Sequence, residues 1–515
     1  MPILPDPIAV VATSSAAPEA AHAAAPSSPA PRTGWAYKWI ALLVTSLGTL
    51  GGVLNGSTLI IALPTIMIAL NTTLIGVMIP LVVYLLVTTI TAPLWGRLAD
   101  IYGRKRLYLA GLVLFTLGSL LCGFSTDIVQ LSGFRILQAF GGSILIANST
   151  IIITDAFPRG ELGRANGLLS MIMAAAFVVG PILGGILTLV DWRLNFFFNL
   201  PIGLAALYLG ARHLREPSLP RSGGRFDYLG MALFTVAVLS LIVYVGVGFI
   251  PGLLSPVMLA DLAVFLGSLG LFVRRETRIP HPLIDLSLFR IRIVAFGQLS
   301  AFLNAIARGA VMVLLILYFQ GVRGLDPLTA SILIAPLAIG LVVMGPVGGI
   351  LSDRYGSRLV STVGLALSLA GLAGLALIRY DTPYPWIALP LFVNGLGSGL
   401  FQSPNTSAVL AAVPPERWGI TSSVRALLNN LGMVISMAIA TPVLLGSVPM
   451  DEMMQMFVIG GTNMPVAVQQ AMTGGIALAF VVAAVLTLPA VVASALRGTE
   501  TRAFDAERDG SGVQA

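Results

Sequence analysis

Long apolar runs, separated by short polar interruptions, fill the chain from about residue 38 to residue 496. A helix needs about 20 apolar residues to cross the hydrocarbon core of a bilayer. Fourteen runs approach or exceed that length: 38–62, 75–96, 107–125, 130–153, 164–189, 195–213, 227–247, 255–273, 294–319, 329–351, 360–378, 385–411, 418–445 and 473–496. Strands of a membrane barrel would alternate in polarity over shorter segments, so the runs predict helices. Residues 1–33 are rich in Ala, Pro and Ser and have neither the charged n-region of a signal peptide nor the arginines of a transit peptide. They predict a disordered cytoplasmic tail over 1–37, and a second polar tail follows at 497–515.

The interruptions carry the charge asymmetrically. With the N-terminus inside, the inner segments and the adjoining ends of the spans hold 24 of the 29 Lys and Arg residues, the outer loops hold only Arg193, Arg323 and Arg379, and Arg135 and Arg308 fall within spans. Basic residues accumulate on the cytoplasmic side of membrane proteins. The pattern therefore predicts a multi-pass protein of a bacterial-type plasma (inner) membrane with both termini cytoplasmic.

One interruption recurs. GRLADIYGRK at 96–105 aligns with GILSDRYGSR at 349–358, matching Gly96 with Gly349, Asp100 with Asp353 and Gly103 with Gly356. Each copy follows the second run of a six-run set. Such a duplication marks a two-lobed transporter, with lobes at 38–213 and 292–496 and an inserted helix pair within 214–291. Glycines permit the tight turn, and Asp100 can accept from a helix N-terminus. Arg104, Lys105 and Arg358 can pair with carboxylates. We read the cluster as a latch between the lobes at the inner face; a topology anchor alone is the alternative.

Composition agrees with a membrane habit: 57% of residues are hydrophobic and the mean hydropathy is +0.93. The net charge of +7 resides in the inner loops and so does not point to nucleic acid. The single Cys122 excludes an internal disulfide and a cysteine-based metal site. No GxxxxGK[ST] loop, metal cluster or nucleophile constellation occurs, so the sequence predicts neither an ATP-driven pump nor an enzyme, and no cofactor.

GRLADIYGRKR resembles the loop signature of the major facilitator superfamily, between its second and third helices. Further stretches are similar to its fourteen-helix drug:proton antiporter branch. Gly180-Pro181-Ile182-Leu183-Gly184-Gly185 resembles the antiporter motif of the fifth helix, with Ala176 at an earlier glycine position. Asp191-Trp192-Arg193 through Phe197, Asn199, Pro201, Ile202 and Gly203 resembles a second motif, and Tyr318-Phe319-Gln320 a third. Pro282-Leu283-Ile284-Asp285-Leu286 with Leu288-Phe289-Arg290 resembles the branch's linker. The resemblance implies an all-α facilitator fold of 14 transmembrane helices in two six-helix lobes plus the inserted pair. It also implies alternating access, with proton coupling the only ion chemistry.

Polar residues inside apolar spans are functional candidates. Arg135, with Gln138 one turn on, occupies an arginine position that the family links to proton transfer; bonding to backbone carbonyls is the structural alternative. Arg308 lies about 14 residues into its span, roughly 21 Å along the helix at 1.5 Å per residue, with Asn304 on the same face. Asn405, like Asn394, Gln402, Asn429 and Asn430, either lines the second lobe or bonds between helices. In LNGSTLIIALP, Asn55 stands where the branch has aspartate, and an amide carries no titratable proton. At the inner end of span 4 the family has an acidic residue that pairs with the loop arginines, so the resemblance implies that Asp155 pairs with Arg104 in the latch; an interfacial carboxylate is the alternative. The Met-rich segment 446–472 reads as a mobile outer loop without assigned role.

Together these features predict a monomeric secondary transporter that exports amphipathic small molecules, of the multidrug efflux type. An exporter or flippase of an anionic lipid or metabolite, without a proton carrier in span 1, is the alternative; a non-transporting membrane sensor is the third reading.

Overall fold

The computed structural model describes residues 35–157, 162–216, 227–247, 252–279, 284, 286–414, 417–449, 452–453, 455–456 and 461–498. Most of both predicted tails, and Pro282, Leu283 and Asp285 of the linker motif, lie outside the described residues. Among the described residues there is no strand.

The helices follow the apolar runs in order. The first five are α1 (Trp35–Ala69), α2 (Leu74–Tyr102), α3 (Arg104–Gly123), α4 (Ile128–Ala156) and α5 (Leu162–Val190). The sixth run is bent into α6 (Leu194–Phe197) and α7 (Asn199–His213), and the inserted pair forms α8 (Tyr228–Val247) and α9 (Pro256–Glu276). The ninth run is broken into α10 (Arg292–Gly309), α11 (Val311–Ile316) and a π-helical turn (Leu317–Val322). Then come α12 (Pro327–Tyr355), α13 (Ser357–Leu375), α14 (Tyr384–Ala411), α15 (Trp418–Leu445) and α16 (Val466–Leu496).

Twelve stretches are long and apolar enough to cross a membrane by length and composition. That count is compatible with fourteen spans, because α5 and α14, with 29 and 28 residues, are also long enough. In α14 the polar positions Asn394, Ser398, Gln402 and Asn405 lower the hydropathy, and in α5 the apolar stretch Val179–Val190 lies within the described side chains.

Two sets of helices pack side by side. In the first, α4 lies against α1, α2 and α3, while α1 also packs on α5 and α7; in the second, α14 lies against α12 and α13, and α10 against α15 and α16. Glycines close these contacts, as association in lipid demands: a Cβ on Gly340 would meet Leu396 N and Phe392 O at 2.7 Å. The sets meet where α5 packs on α12 and α2 on α15, and the α8–α9 hairpin leans on α15.

One end of the bundle, the basic end, collects Tyr37, Arg104, Asp155, Arg292, Ser357 and Arg497. There Arg215 N donates to the Tyr37 hydroxyl (3.3 Å) and Arg292 Nε to Leu496 O (2.9 Å). Helices that start at the opposite, far end are capped by side chains: Thr73, Asp127, Ser255 and Asp326 each accept from the first turn of α2, α4, α9 and α12. The largest buried apolar cluster lies toward this far end and draws on both sets, with Leu59, Ile66, Met67 and Val77 from the first and Leu314, Phe319, Ile334 and Met437 from the second. Met453, Met456, Met464 and Met472 are buried in the same cluster. The segment read as a mobile loop therefore contributes four side chains to the far-end core.

Candidate functional site

At the basic end the repeated glycines adopt matching backbones: Gly103 has φ 96° and ψ 138°, and Gly356 has φ 82° and ψ 145°. Side chains disfavour this region, so the repeat conserves a turn between α2 and α3 and between α12 and α13. Arg104 pairs with Asp155, as read from the sequence, but the pair ties α3 to α4 within the first set. The other ion pairs between described residues, Arg193–Asp191 and Arg275–Asp227, also stay within one set or the inserted hairpin. The described ion pair of the latch, Arg104 with Asp155, lies within the first set.

Side chains of Gly96, Asp100 and Asp353 lie outside the described residues. The carboxylate at the start of α3 is that of Glu216, which accepts from the N–H groups of Arg104 (2.6 Å), Lys105 (3.3 Å) and Arg106 (3.4 Å). Lys105 Nζ donates to Ala211 O (3.0 Å), Arg358 is exposed, and a Cβ on Gly349 would touch Ser403 Oγ at 3.4 Å. In the second set the matching position is held by Arg497, which is 1% exposed and donates to Ser357 Oγ and to Asn405 Oδ1. Asn405 Nδ2 donates to Gly297 O (3.1 Å). Both polar atoms of Asn405 are engaged within the bundle, so the structure does not bring it to a cavity with Arg308. Glu216 and Arg497 gave no sequence signal because each reads as an ordinary loop charge.

Pro181 lies inside α5. Its motif glycines serve two different neighbours. A Cβ on Gly184 would meet Thr58 Cα at 2.7 Å and Thr58 O at 2.8 Å, on α1 of the same set. A Cβ on Gly185 would meet Leu328 Cα at 2.9 Å and Pro327 O at 3.0 Å, on α12 of the other set. Gln320 adds a second crossing, since its Nε2 donates to Ile61 O (3.0 Å). The two sets are therefore in contact at the far end.

Mid-depth in the first set lies a polar group built on Asn55 and Arg135. Asn199, from the motif after α5, reaches back to donate to Asn55 Oδ1 (3.4 Å). Tyr84 stands alongside Asn55, yet Asn55 Nδ2 and the Tyr84 hydroxyl complete no hydrogen bond. Arg135 is fully buried without a carboxylate. Its Nε donates to Pro80 O (3.3 Å) and its Nη1 to Gln138 Oε1 (2.7 Å), while Gln138 Nε2 donates to Ser119 Oγ (2.7 Å). The guanidinium lies 4.2 Å from the Tyr84 ring centroid, a cation–π contact of about 2 kcal/mol when desolvated. Its Nη2 remains without a partner. Sequence reasoning paired Arg135 with Gln138, and the structure joins them.

In the second set Arg308 is the penultimate residue of α10, and the helix breaks directly after Gly309. Ala310 N leaves the α-helical ladder and donates to Ser436 Oγ on α15 (2.9 Å). Asn304 is 2% exposed and its Oδ1 has no partner. Arg425, also half-buried, lies on α15, which packs against α10. Neither it nor Arg308 forms an ion pair or side-chain hydrogen bond among the described residues. Arg425 lies eight residues into the run 418–445, near its inner end, and sequence reasoning missed it by counting it with the inner basic residues. A small crevice of about 20 Å³ between α10–α11, α15 and α16 is lined by apolar side chains and Ser436, and none of these polar candidates lines it.

The Major Facilitator Superfamily model matches residues 45–437. A riboflavin transporter, RibZ of Clostridioides difficile (strain 630), is 33% identical over 407 residues, which cover 78% of this chain and 87% of that protein. Multidrug resistance protein 3 of Bacillus subtilis (strain 168) is 28% identical over 69% of this chain and 70% of its own length. Among solved structures, a bacterial homolog of the human lysosomal transporter Spinster, in an inward-facing and unoccupied conformation, superposes with a TM-score of 0.63 at 14% identity, covering 90% of this chain and 97% of that one. With its helical architecture and these matches, the chain belongs to the major facilitator superfamily and is a membrane transporter rather than an enzyme.

Proposed function

We propose that the protein exports amphipathic small molecules from the cytoplasm by alternating access, as a monomer in a bacterial-type plasma membrane with its basic end inside. The observation that carries this reading is the arrangement of two helix sets joined at the far end, with unpartnered polar side chains at mid-depth in each. A relative named as a multidrug resistance protein supports the multidrug type, and one named as a riboflavin transporter supports an aromatic, amphipathic cargo. Opening of the far end, by separation of α5 from α12 and of Gln320 from α1, would release cargo outside.

Proton coupling follows from the resemblance. A second reading, uncoupled export of an anionic lipid or metabolite, is favoured by Asn55 and by the lack of any Asp or Glu between the ends of the spans in either set. Flux of rhodamine 6G, riboflavin and fluorescein across vesicles containing the purified protein tests both. Transport of at least one dye above protein-free vesicles is expected. Loss of that flux when the pH gradient is collapsed selects the coupled reading, and its persistence selects the uncoupled one. Flux of none of them would overturn the proposal that the cargo is an amphipathic small molecule of this kind.

A further inference from the structure

We infer that the inserted α8–α9 hairpin is a shutter that rides on the second set and seals the α2–α15 seam against the inner leaflet. The α5–α12 seam then remains as the lateral way in for an amphipathic cargo. The inference rests on the transporter reading and gives that cargo its route.

Three observations converge. First, the hairpin sits on one of the two seams between the sets. Phe234 and Val238 of α8 and Phe272 of α9 share a buried apolar cluster with Ile90 of α2 and with Val424 and Leu427 of α15. The cluster lies in the half nearer the basic end, since Phe272 is about one turn from the end of α9 and Val424 about two turns into α15.

Second, the two seams are unequal although the halves are duplicated. The offset between Gly96 and Gly349 equates Ile90 of α2 with Val343 of α12, and Leu86 with Ile339. Ile90 is 8% exposed beneath the hairpin, whereas Val343 is 52% exposed and Ile339 is exposed as well.

Third, the hairpin is fixed to the second set and only leans on the first. Helix α8 packs along α15 and touches α2 more lightly. Past α9, Glu276 Oε2 accepts from Ile284 N (2.9 Å), and Arg417, the residue before α15, donates through Nη1 to Ser287 Oγ (3.1 Å). Leu288 is buried with Val294 of α10 and Val409 of α14. Toward α2 the hairpin offers apolar side chains, and hydrophobic contact is non-directional. That face can slide while the hydrogen-bonded side stays in place. Rocking of the two sets opens the basic end, and it would bring the polar interior against hydrocarbon along both seams, which is costly. A body that moves with α15 and overlaps α2 keeps one seam closed, and the uncovered seam passes the cargo.

Cross-linking in a Cys122→Ser background tests the shutter. Phe234→Cys with Val424→Cys joins α8 to α15, and Val238→Cys with Ile90→Cys joins α8 to α2. A bis-methanethiosulfonate reagent closes each link and dithiothreitol opens it. Flux of rhodamine 6G, riboflavin or fluorescein, whichever the protein moves, is read in vesicles before and after. The α8–α15 link should leave flux intact, while the α8–α2 link should abolish it until reduction restores it. Each protein is its own control, so a variant's lower stability cannot mimic the result. Flux that survives the α8–α2 link, or that is lost on the α8–α15 link, would overturn the shutter.

The seal and the route have separate readouts. Bimane attached through Ile90→Cys should be quenched less by brominated phosphatidylcholine than bimane attached through Val343→Cys, and equal quenching would overturn the seal. Val343→Trp, on the open seam, should slow flux, whereas Leu478→Trp, exposed on α16, should not; equal flux in the two would overturn the route. If the unlinked protein moves none of the three dyes, the transporter reading falls, and bimane quenching still decides whether the hairpin seals its seam.

Discussion

At the scale of single residues, the interior is short of acid. Asn55 occupies a position where a carboxylate would titrate, and its amide instead accepts from Asn199 beside Tyr84. Asn55→Asp would place a protonatable group in that setting, with the Arg135 guanidinium near the other side of the Tyr84 ring. Flux in vesicles should then gain dependence on the pH gradient, or rhodamine 6G export should rise; no change in either assay would discredit cavity charge as the limit on cargo. Arg135 plays a different part from Arg308, because its donors are largely engaged. Arg135→Ala would take the charged donor from Gln138 Oε1, leaving it only the weak Cys122 Sγ contact at 3.9 Å, and would remove the cation–π contact with Tyr84; a hydrogen bond to a charged group contributes about 1.5–3 kcal/mol. Thermal unfolding in detergent should show a clear loss of stability, and an unchanged midpoint would remove Arg135 from the structural account.

Elements come next, and here glycine positions decide how helices meet. Gly103 and Gly356 share a positive-φ turn, but only Gly103 faces an obstacle, since its added Cβ would meet the Glu216 carboxylate carbon at 2.9 Å whereas Gly356 opens on free space. Backbone strain of this kind costs about 1–3 kcal/mol. Gly103→Ala should therefore lower the melting temperature more than Gly356→Ala, and the opposite order would contradict the capping of α3 by Glu216. Gly184 and Gly185 separate folding from gating in the same way. Gly184→Ala presses on α1 within one set and should destabilise the protein as a whole. Gly185→Ala presses on α12 of the other set and should favour the state open at the far end. The readout is labelling of a cysteine introduced at Ile334, 1% exposed in the far-end cluster, by an impermeant maleimide in a Cys122→Ser background. Faster labelling in Gly185→Ala than in Gly184→Ala is the expected result, and equal rates would refute the distinction.

Over the whole molecule, the governing feature is the separation of the two ends. Basic residues gather where Gly103 and Gly356 turn, while the far end is sealed by apolar packing and by Gln320 on Ile61 O. Tags placed after Gly103 and after Gly356 should be reached from the cytoplasmic side only, together with tags at both termini. Mapping that puts the two glycine turns on opposite sides of the membrane would break the two-set architecture and the transport cycle with it.

The sequence by itself determined the membrane habit, the order of the helices and the repeated glycine turn. These depend on the hydropathy of a contiguous run or on one residue's φ and ψ, so the information is local. It also pointed to Arg135 with Gln138, because helical spacing limits the choice, and the family resemblance implied Arg104 with Asp155. Only the tertiary structure decided that Asn199 reaches Asn55, that Glu216 caps α3, and that Asn405 is held by Arg497 and Gly297. Hydrogen bonds and charge contacts act over a few ångströms and in fixed directions. Their partners here lie 144 residues apart for Asn199 and Asn55 and 259 for Gln320 and Ile61. Which side chains converge depends on how each helix is rotated, broken and tilted against its neighbours, and no periodicity along the chain records that.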